Sequence, residues 1–186
     1  MDSGKTDRII LHNLPFKPML TEAAIQQRVG ELGQTLRERL AGGQPSFVVM
    51  LKGAFVFAAD LIRASRLNGE VCFVRTSSYR GTASEGKVRL HLAPDPAEIT
   101  GRDLVLIEDI VDSGYTMQAF LPELERLQPR SITLVTLLHK PEAQQVPLKI
   151  DLVGFVIPPH FVVGYGLDYD GLGRHLPAIY QLDEQY

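Results

Sequence analysis

Cysteine is almost missing: Cys72 is the only one in 186 residues, so no disulfide can form within the chain. That suits a reducing compartment, and a cytoplasmic protein is expected. Cys72 lies in the apolar run Val71-Cys72-Phe73-Val74, where a thiol reads as strand packing. No uncharged apolar run reaches the roughly 18 residues of a membrane span. Met1 to Arg8 is polar and mixed in charge, without the apolar stretch of a signal peptide. A basic excess is also lacking. The formal net charge is −3, which argues against a general nucleic-acid or membrane surface. The histidines, His12, His91, His139, His160 and His175, show no metal-ligand spacing. No Ser-His-Asp or Cys-His set stands out. A Gly-x-Gly-x-x-Gly turn after a strand is missing, which sets aside a dinucleotide-dependent dehydrogenase. No repeat, low-complexity tract or linker divides the chain, so one domain over residues 1–186 is expected.

What is present centres on Leu104 to Thr116. Four apolar residues, Leu104 to Ile107, read as a strand buried on both faces, the usual condition of a parallel sheet. Glu108 and Asp109 arrive where that strand should end, followed by Asp112, Ser113, Gly114 and Thr116. Phe120, Leu121, Leu124 and Leu127 then fall on one helical face. A small-residue turn between strand and helix presents backbone N–H groups at a positive helix end, which is an anion site suited to phosphate. The hydroxyls of Ser113 and Thr116 add donors. The acids before the turn would repel phosphate. They suit sugar hydroxyls, a divalent metal or a proton transfer, and the whole loop is shaped for a ribose phosphate.

The segment Glu108-Asp109-Ile110-Val111-Asp112-Ser113-Gly114-Tyr115-Thr116 resembles the phosphoribosyl pyrophosphate (PRPP) signature of type I phosphoribosyltransferases, in the form of their hypoxanthine-guanine branch. A second stretch, Phe161-Val162-Val163-Gly164-Tyr165-Gly166-Leu167-Asp168-Tyr169, resembles the same family. The resemblance runs from about Phe47 to Arg174 with the motifs in the family's order. It implies an α/β fold: a central, mostly parallel sheet flanked by helices, a small hood and a flexible lid loop. It also implies purine salvage, with ribose 5-phosphate moved from PRPP to N9 of hypoxanthine or guanine. Magnesium is the implied cofactor, and a homodimer or homotetramer the implied assembly.

Residue roles follow from the same resemblance. Glu108, Asp109, Asp112, Ser113, Gly114, Tyr115 and Thr116 would hold the PRPP ribose phosphate, with Asp112 the general base. Glu108, Asp109 and Asp168 would serve the metal. Lys52, Gly53 and Arg174 would meet pyrophosphate. Lys140 would donate to the purine 6-oxo group, Phe161 would stack on the base, and Val162 would meet its 2-substituent through the backbone. Ser78 and Tyr79 would ride on the lid. Two departures stand out. Tyr115 occupies a position where many relatives carry Lys, and Gly171-Leu172-Gly173 differs from the usual family forms.

The remaining residues have readings of their own. Thr21 to Leu40 is an amphipathic helix with Thr21 as N-cap and Ile25, Val29, Leu32, Leu36 and Leu40 on one face; Gly42-Gly43 stops it. Phe47 to Leu51 reads as a central strand. Lys52-Gly53 ends it with a cation and a residue that allows close backbone approach; taken alone, Lys52 reads more readily as a strand-terminating surface charge. Ala54 to Ala64 reads as a helix. Val71 to Thr76 is a strand and Ser77 to Lys87 a polar loop. Gly81 to Lys87 spells most of a nucleotide P-loop, but Val88 stands where that motif needs Ser or Thr, and Val88, Leu90 and Leu92 alternate as in a strand. Ala93 to Pro96 reads as a turn. Ser131 to Leu138 and Asp151 to Ile157 are further strands, and Pro177 to Leu182 is expected to close the sheet. Alone, Phe161 to Val163 reads as core and Arg174 as a surface charge. An alternative of another class is an RNA-binding regulator like those related to uracil phosphoribosyltransferases.

Overall fold

The computed structural model describes residues 8–41, 43–78 and 88–184. In chain order the elements are β1 (Ile9–Leu11), β2 (Leu14–Leu20), α1 (Glu22–Arg39), β3 (Ser46–Leu51), α2 (Phe55–Ser65), β4 (Glu70–Ser78), β5 (Val88–Leu92), α3 (Pro96–Ile99), β6 (Asp103–Val111), α4 (Tyr115–Glu125), β7 (Ser131–His139), β8 (Leu152–Val156), β9 (Val162–Val163) and β10 (Ile179–Leu182). Six strands form the main sheet in the order β5-β4-β3-β6-β7-β8. All neighbours pair in parallel except β4 and β5.

The continuous apolar runs of β3 and β6 have a direct cause. Successive side chains point to opposite faces, and both faces are covered. Phe47, Val49, Val105 and Ile107 join Ile25, Val29, Leu36, Phe57 and Leu61 of α1 and α2 in one core. Val48, Met50, Leu104 and Leu106 join Ile99, Met117, Phe120 and Leu124 of α3 and α4 in the other, with Cys72 among them. Helices α1 and α2 touch closely because Gly33 has no side chain: a Cβ there would lie 2.6 Å from the Ala64 carbonyl carbon. Thr21 caps α1 by accepting from Ala24 N–H at 3.2 Å.

Three local expectations change. Ser77 and Ser78 belong to β4 rather than to a loop, while Tyr79 to Lys87 lies outside the described residues. The turn at Ala93 to Pro96 runs into α3, started by an Asp95–Glu98 capping box and Pro96 at its first position. Pro177 to Leu182 does not extend the main sheet. Its strand β10 pairs with β2 and β9 in a separate four-stranded sheet, β1-β2-β10-β9, which forms the hood. Among the described residues, no helix is long and apolar enough to cross a membrane.

Candidate active site

The order of the main sheet locates the site. From β3 the chain moves outward to β4, then returns to place β6 on the other side of β3. Loops leaving such neighbours diverge and open a crevice at the strands' carboxyl ends, where ligands bind in open α/β sheets. Lys52-Gly53 leaves β3 there, and Glu108 to Thr116 carries the end of β6 into α4.

The two loops meet through a missing side chain. A Cβ on Gly53 would fall 1.5 Å from Asp109 Oδ2, so this backbone can lie against the carboxylate only as glycine. The Leu51–Lys52 peptide is cis, a geometry the residue types do not announce. Gly166, from the distant Phe161–Tyr169 stretch, completes the junction: its Cβ would sit 2.2 Å from Gly53 O. Lys52 and Arg174 line one cavity of about 430 Å³ with Leu51, Phe55 and Phe73.

Glu108 and Asp109 are half-buried neighbours on β6. Burial pushes the Glu108 pKa well above the usual carboxylate value, and the charge and hydrogen bond of Asp109 add to it. Asp109 is also raised, because burial outweighs hydrogen bonds from Glu108 and the Ile110 N–H and the attraction of Arg174. Two carboxyls this close favour keeping a proton on one of them. Oε2 of Glu108 is buried with no hydrogen-bond partner, and such an atom is costly unless something supplies charge or a donor. A cation beside it would meet both needs. Among the described residues no three metal-ligating side chains cluster. The chemistry of two neighbouring carboxylates is compatible with magnesium, which takes one or two carboxylates and completes its shell with water and substrate phosphates.

The turn from β6 into α4 is built on a glycine. Gly114 is the N-cap of α4 in the left-handed region at φ 86°, with no side chain to occupy the first N–H groups. Ser113 O accepts from Gln145 N–H at 3.0 Å, so the 141–146 segment braces the loop from behind. Ser113 and Thr116 are partly exposed, and Tyr115 is 44% exposed.

Lys140 is not the solvent-exposed charge its type suggests. It is 6% exposed, and its Nζ donates to Asp112 Oδ2 at 2.9 Å. Its backbone N–H also bonds Val111 O at 2.9 Å. Parallel pairing of β6 and β7, with Val111 opposite His139, brings the two loop residues together. Half of the Asp112 side chain remains exposed.

The hood supplies the last residues. Phe161 is 44% exposed and meets Tyr169 edge-on at 5.7 Å and Phe16 at 6.1 Å. Val162 is buried in β9 against β10. Among the described residues, Asp168 forms no three-acid metal cluster with Glu108 and Asp109. Its Oδ1 pairs with Arg174 Nη2 at 2.6 Å, and its Oδ2 accepts from Gly171 N–H at 2.8 Å. Arg174 also donates from Nη1 to Gly166 O at 2.7 Å. Ser78 ends β4, and Tyr79 lies outside the described residues. The departure at Gly171 has a reason: Asp170 and Gly171 both have positive φ, at 46° and 88°, inside a two-residue turn closed by Tyr169 and Leu172.

Some partners were not evident from sequence. Asp60, in the apolar helix α2, bonds Tyr165. The one signal was Tyr165 itself, a bulky residue between two glycines.

The comparisons agree with this geometry. A model of the phosphoribosyl transferase domain matches residues 19–170. The chain is 39% identical over 163 residues to the hypoxanthine phosphoribosyltransferase of Escherichia coli K12, covering 87% of this chain and 92% of that one. It is 41% identical over 170 residues to the bifunctional protein TilS/HprT of Listeria innocua serovar 6a. There it covers 91% of this chain and spans about a quarter, 26%, of that protein. A crystal structure of a hypoxanthine-guanine phosphoribosyltransferase from Bacillus anthracis superposes with a TM-score of 0.84 at 36% identity, covering 90% of this chain and 96% of that one. With the fold, the crevice and these matches in agreement, the chain belongs to the type I phosphoribosyltransferases, among the hypoxanthine phosphoribosyltransferases.

Proposed function

We propose that this protein transfers the 5-phosphoribosyl group of PRPP to N9 of hypoxanthine or guanine, releasing pyrophosphate and serving purine salvage. The observation that carries the reading is the Lys140–Asp112 pair, 2.9 Å apart, at the threshold of the α4 phosphate loop. It joins a cation suited to a purine oxygen, a carboxylate suited to a purine proton and a helix end suited to the 5′-phosphate.

In this reading the free N–H groups at Ser113 to Thr116 and the hydroxyls of Ser113 and Thr116 bind the 5′-phosphate. Asp109 and Glu108 face the ribose hydroxyls. They are also the residues that would hold magnesium, with Asp168 towards the pyrophosphate; the ion would supply charge neutralisation for the leaving group. Lys52 and Arg174 bind pyrophosphate, and Gly53 lets the loop approach. The purine lies on the open face of Phe161, with its 2-substituent against the Val162 backbone. The bond from C1′ to the pyrophosphate oxygen breaks with the electron pair leaving on oxygen, and a bond from N9 to C1′ forms. Asp112 takes the proton from N7. Acids near C1′ favour the positive charge that develops on the sugar. Lys140 favours a 6-oxo acceptor over the 6-amino donor of adenine, a contrast that can reach about 10⁴- to 10⁵-fold in a site built around such a bond. Ser78 and Tyr79 are proposed as part of a lid that excludes water.

Residues 1–186 are proposed to act as one domain. A homodimer or homotetramer is the proposed assembly, supported by exposed Phe55, Val71 and Phe73. A cytoplasmic setting is supported by Cys72, the single cysteine, which is buried.

The test is ultraviolet-monitored turnover with PRPP and magnesium, offering hypoxanthine, guanine, xanthine, adenine and uracil separately. Turnover of 6-oxopurines without adenine is expected. Turnover of uracil alone would move the chain to the pyrimidine branch. Silence with every base would reject the enzyme reading, and salt-dependent RNA binding would then favour the regulator.

A further inference from the structure

Two successive tight turns in the hood have the same form and different first residues. Gly164 and Leu167 exchange backbone hydrogen bonds, each 3.1 Å, around Tyr165 and Gly166. Tyr169 and Leu172 do the same, at 2.9 and 3.0 Å, around Asp170 and Gly171. All four central residues have positive φ: 49° and 101° in the first turn, 46° and 88° in the second. Such turns favour Asn, Asp or Gly at the first central position. The second turn has Asp170. The first has a tyrosine, a bulky residue that rarely adopts this conformation. Local backbone chemistry does not call for it, so its side chain must supply the reason.

That side chain is 2% exposed, and its hydroxyl donates to Asp60 Oδ2 at 2.5 Å. The carboxylate is made for the task. Asp60 Oδ2 also accepts from Gln26 at 3.1 Å, and Oδ1 pairs with Arg63. Burial works against the charged carboxylate, yet donation from Tyr165, Gln26 and Arg63 overrides it and holds the Asp60 pKa below its usual value. Asp60 lies on α2, the helix that follows the Lys52–Gly53 loop.

The turn that Tyr165 fixes touches the pyrophosphate residues on two sides. Gly166 packs against Gly53 O. The Gly166 carbonyl accepts from Arg174 Nη1 at 2.7 Å, and Gly166 N–H bonds the Arg174 carbonyl at 3.0 Å. Asp60, Tyr165 and Arg174 line one cavity of about 460 Å³.

We propose that Tyr165 is a positioning residue for the pyrophosphate end of the substrate. Its hydroxyl, held on Asp60, locks the hood turn to α2, and that turn aims Arg174 and backs the Lys52–Gly53 loop. The assignment rests on the function proposed above. Tyr165 touches no reacting atom. Its effect falls on PRPP and pyrophosphate, and the purine, at Lys140 and Phe161, is spared.

The test compares the unsubstituted protein with Tyr165→Phe, Asp60→Ala and Asp60→Asn, reading KM for PRPP, KM for hypoxanthine, inhibition by magnesium pyrophosphate and Tm. Tyr165→Phe keeps the ring and loses only the hydroxyl. It is expected to raise the PRPP KM and weaken pyrophosphate inhibition by about tenfold. The hypoxanthine KM should stay within about twofold. Asp60→Asn keeps an acceptor for the tyrosine and should recover most of what Asp60→Ala loses; this pair decides the matter if Tyr165→Phe does not fold. A fall in Tm with both KM values unchanged would overturn the assignment as merely structural, as would an equal rise in both KM values or equal behaviour of the two Asp60 variants. An unsubstituted protein without turnover would overturn the proposed function and this assignment with it, whereas an active one with an unaltered Tyr165→Phe variant overturns this assignment alone.

Discussion

The proposed phosphate end of the cleft is one short segment, Asp112 to Thr116, which runs from the end of β6 into the first turn of α4. The proposed pyrophosphate end is gathered from three places: the Lys52–Gly53 loop, the Gly164–Leu167 turn and Arg174. Contacts between them, Gly166 on Gly53 and Arg174 on Gly166 and Asp168, hold that end together. A contiguous loop carries its geometry in its own backbone. An assembled one depends on packing between elements far apart in sequence. The first should therefore fail locally when damaged, and the second should respond to substitutions well outside it.

The largest effect is expected at Asp112, the first residue of the phosphate segment. Asp112→Asn keeps the shape and removes the basic carboxylate. Steady-state assays should show kcat reduced by about 10²- to 10⁴-fold, with nucleotide product binding little changed by calorimetry. Unchanged kcat would remove Asp112 from the mechanism.

Next in size is Lys140. Lys140→Met keeps volume and removes the charged donor, so kcat/KM for hypoxanthine should fall by about 10- to 100-fold. The ratio of hypoxanthine to adenine turnover should shrink with it. A variant that retained full discrimination would show that the base is chosen elsewhere.

The smallest effect concerns stability. The folded-state pKa of Glu108 is raised by burial and by Asp109. Stability linked to this group is therefore fully present below its unfolded value and is lost as pH rises through the folded one. Glu108→Gln removes the penalty. At neutral pH its Tm should exceed that of the unsubstituted protein by about 2–4 °C for each ~1 kcal/mol relieved. The difference should vanish in acid, near the ordinary carboxylate pKa, and thermal melts across pH would show it. A lower Tm at neutral pH would mean that Glu108 is needed as an anion.

The same contrast explains what could be read from the residues. Leu104 to Thr116 was legible in outline because strand, turn and helix follow one another, each with its own local signal. But β6 does not end at the acids: it runs on through Glu108 and Asp109 to Val111, held by its parallel pairing with β7. Lys140 was placed at a strand's end, but its burial on Asp112 comes from the parallel register of β6 and β7, which no local pattern encodes. The hood strands β1 and β2 went unread. Leu14–Leu20 contains Pro15 and Pro18, and proline argues against a strand; here Pro18 lies opposite Tyr180 beside a bulge that absorbs the irregularity. Asp168 was singled out as an acid in a Gly/Tyr-rich loop, but its partners, Arg174 and the Gly171 N–H, are brought to it only by the fold. Asp60 drew no reading of its own within its apolar helix, and only the fold brings Tyr165 to it.

The most direct test of two independently built ends is a crossed titration. Gly114→Ala and Gly53→Ala are each titrated by calorimetry with ribose 5-phosphate and with magnesium pyrophosphate. At Gly114 the new Cβ forces a left-handed backbone at φ 86° to carry a side chain, a strain of roughly 1–2 kcal/mol. At Gly53 it displaces the Asp109 carboxylate. Gly114→Ala should weaken ribose 5-phosphate by about tenfold and leave pyrophosphate unchanged. Gly53→Ala should do most harm to pyrophosphate. If each variant weakened both ligands equally, the two ends would be one cooperative unit and the account would be contradicted.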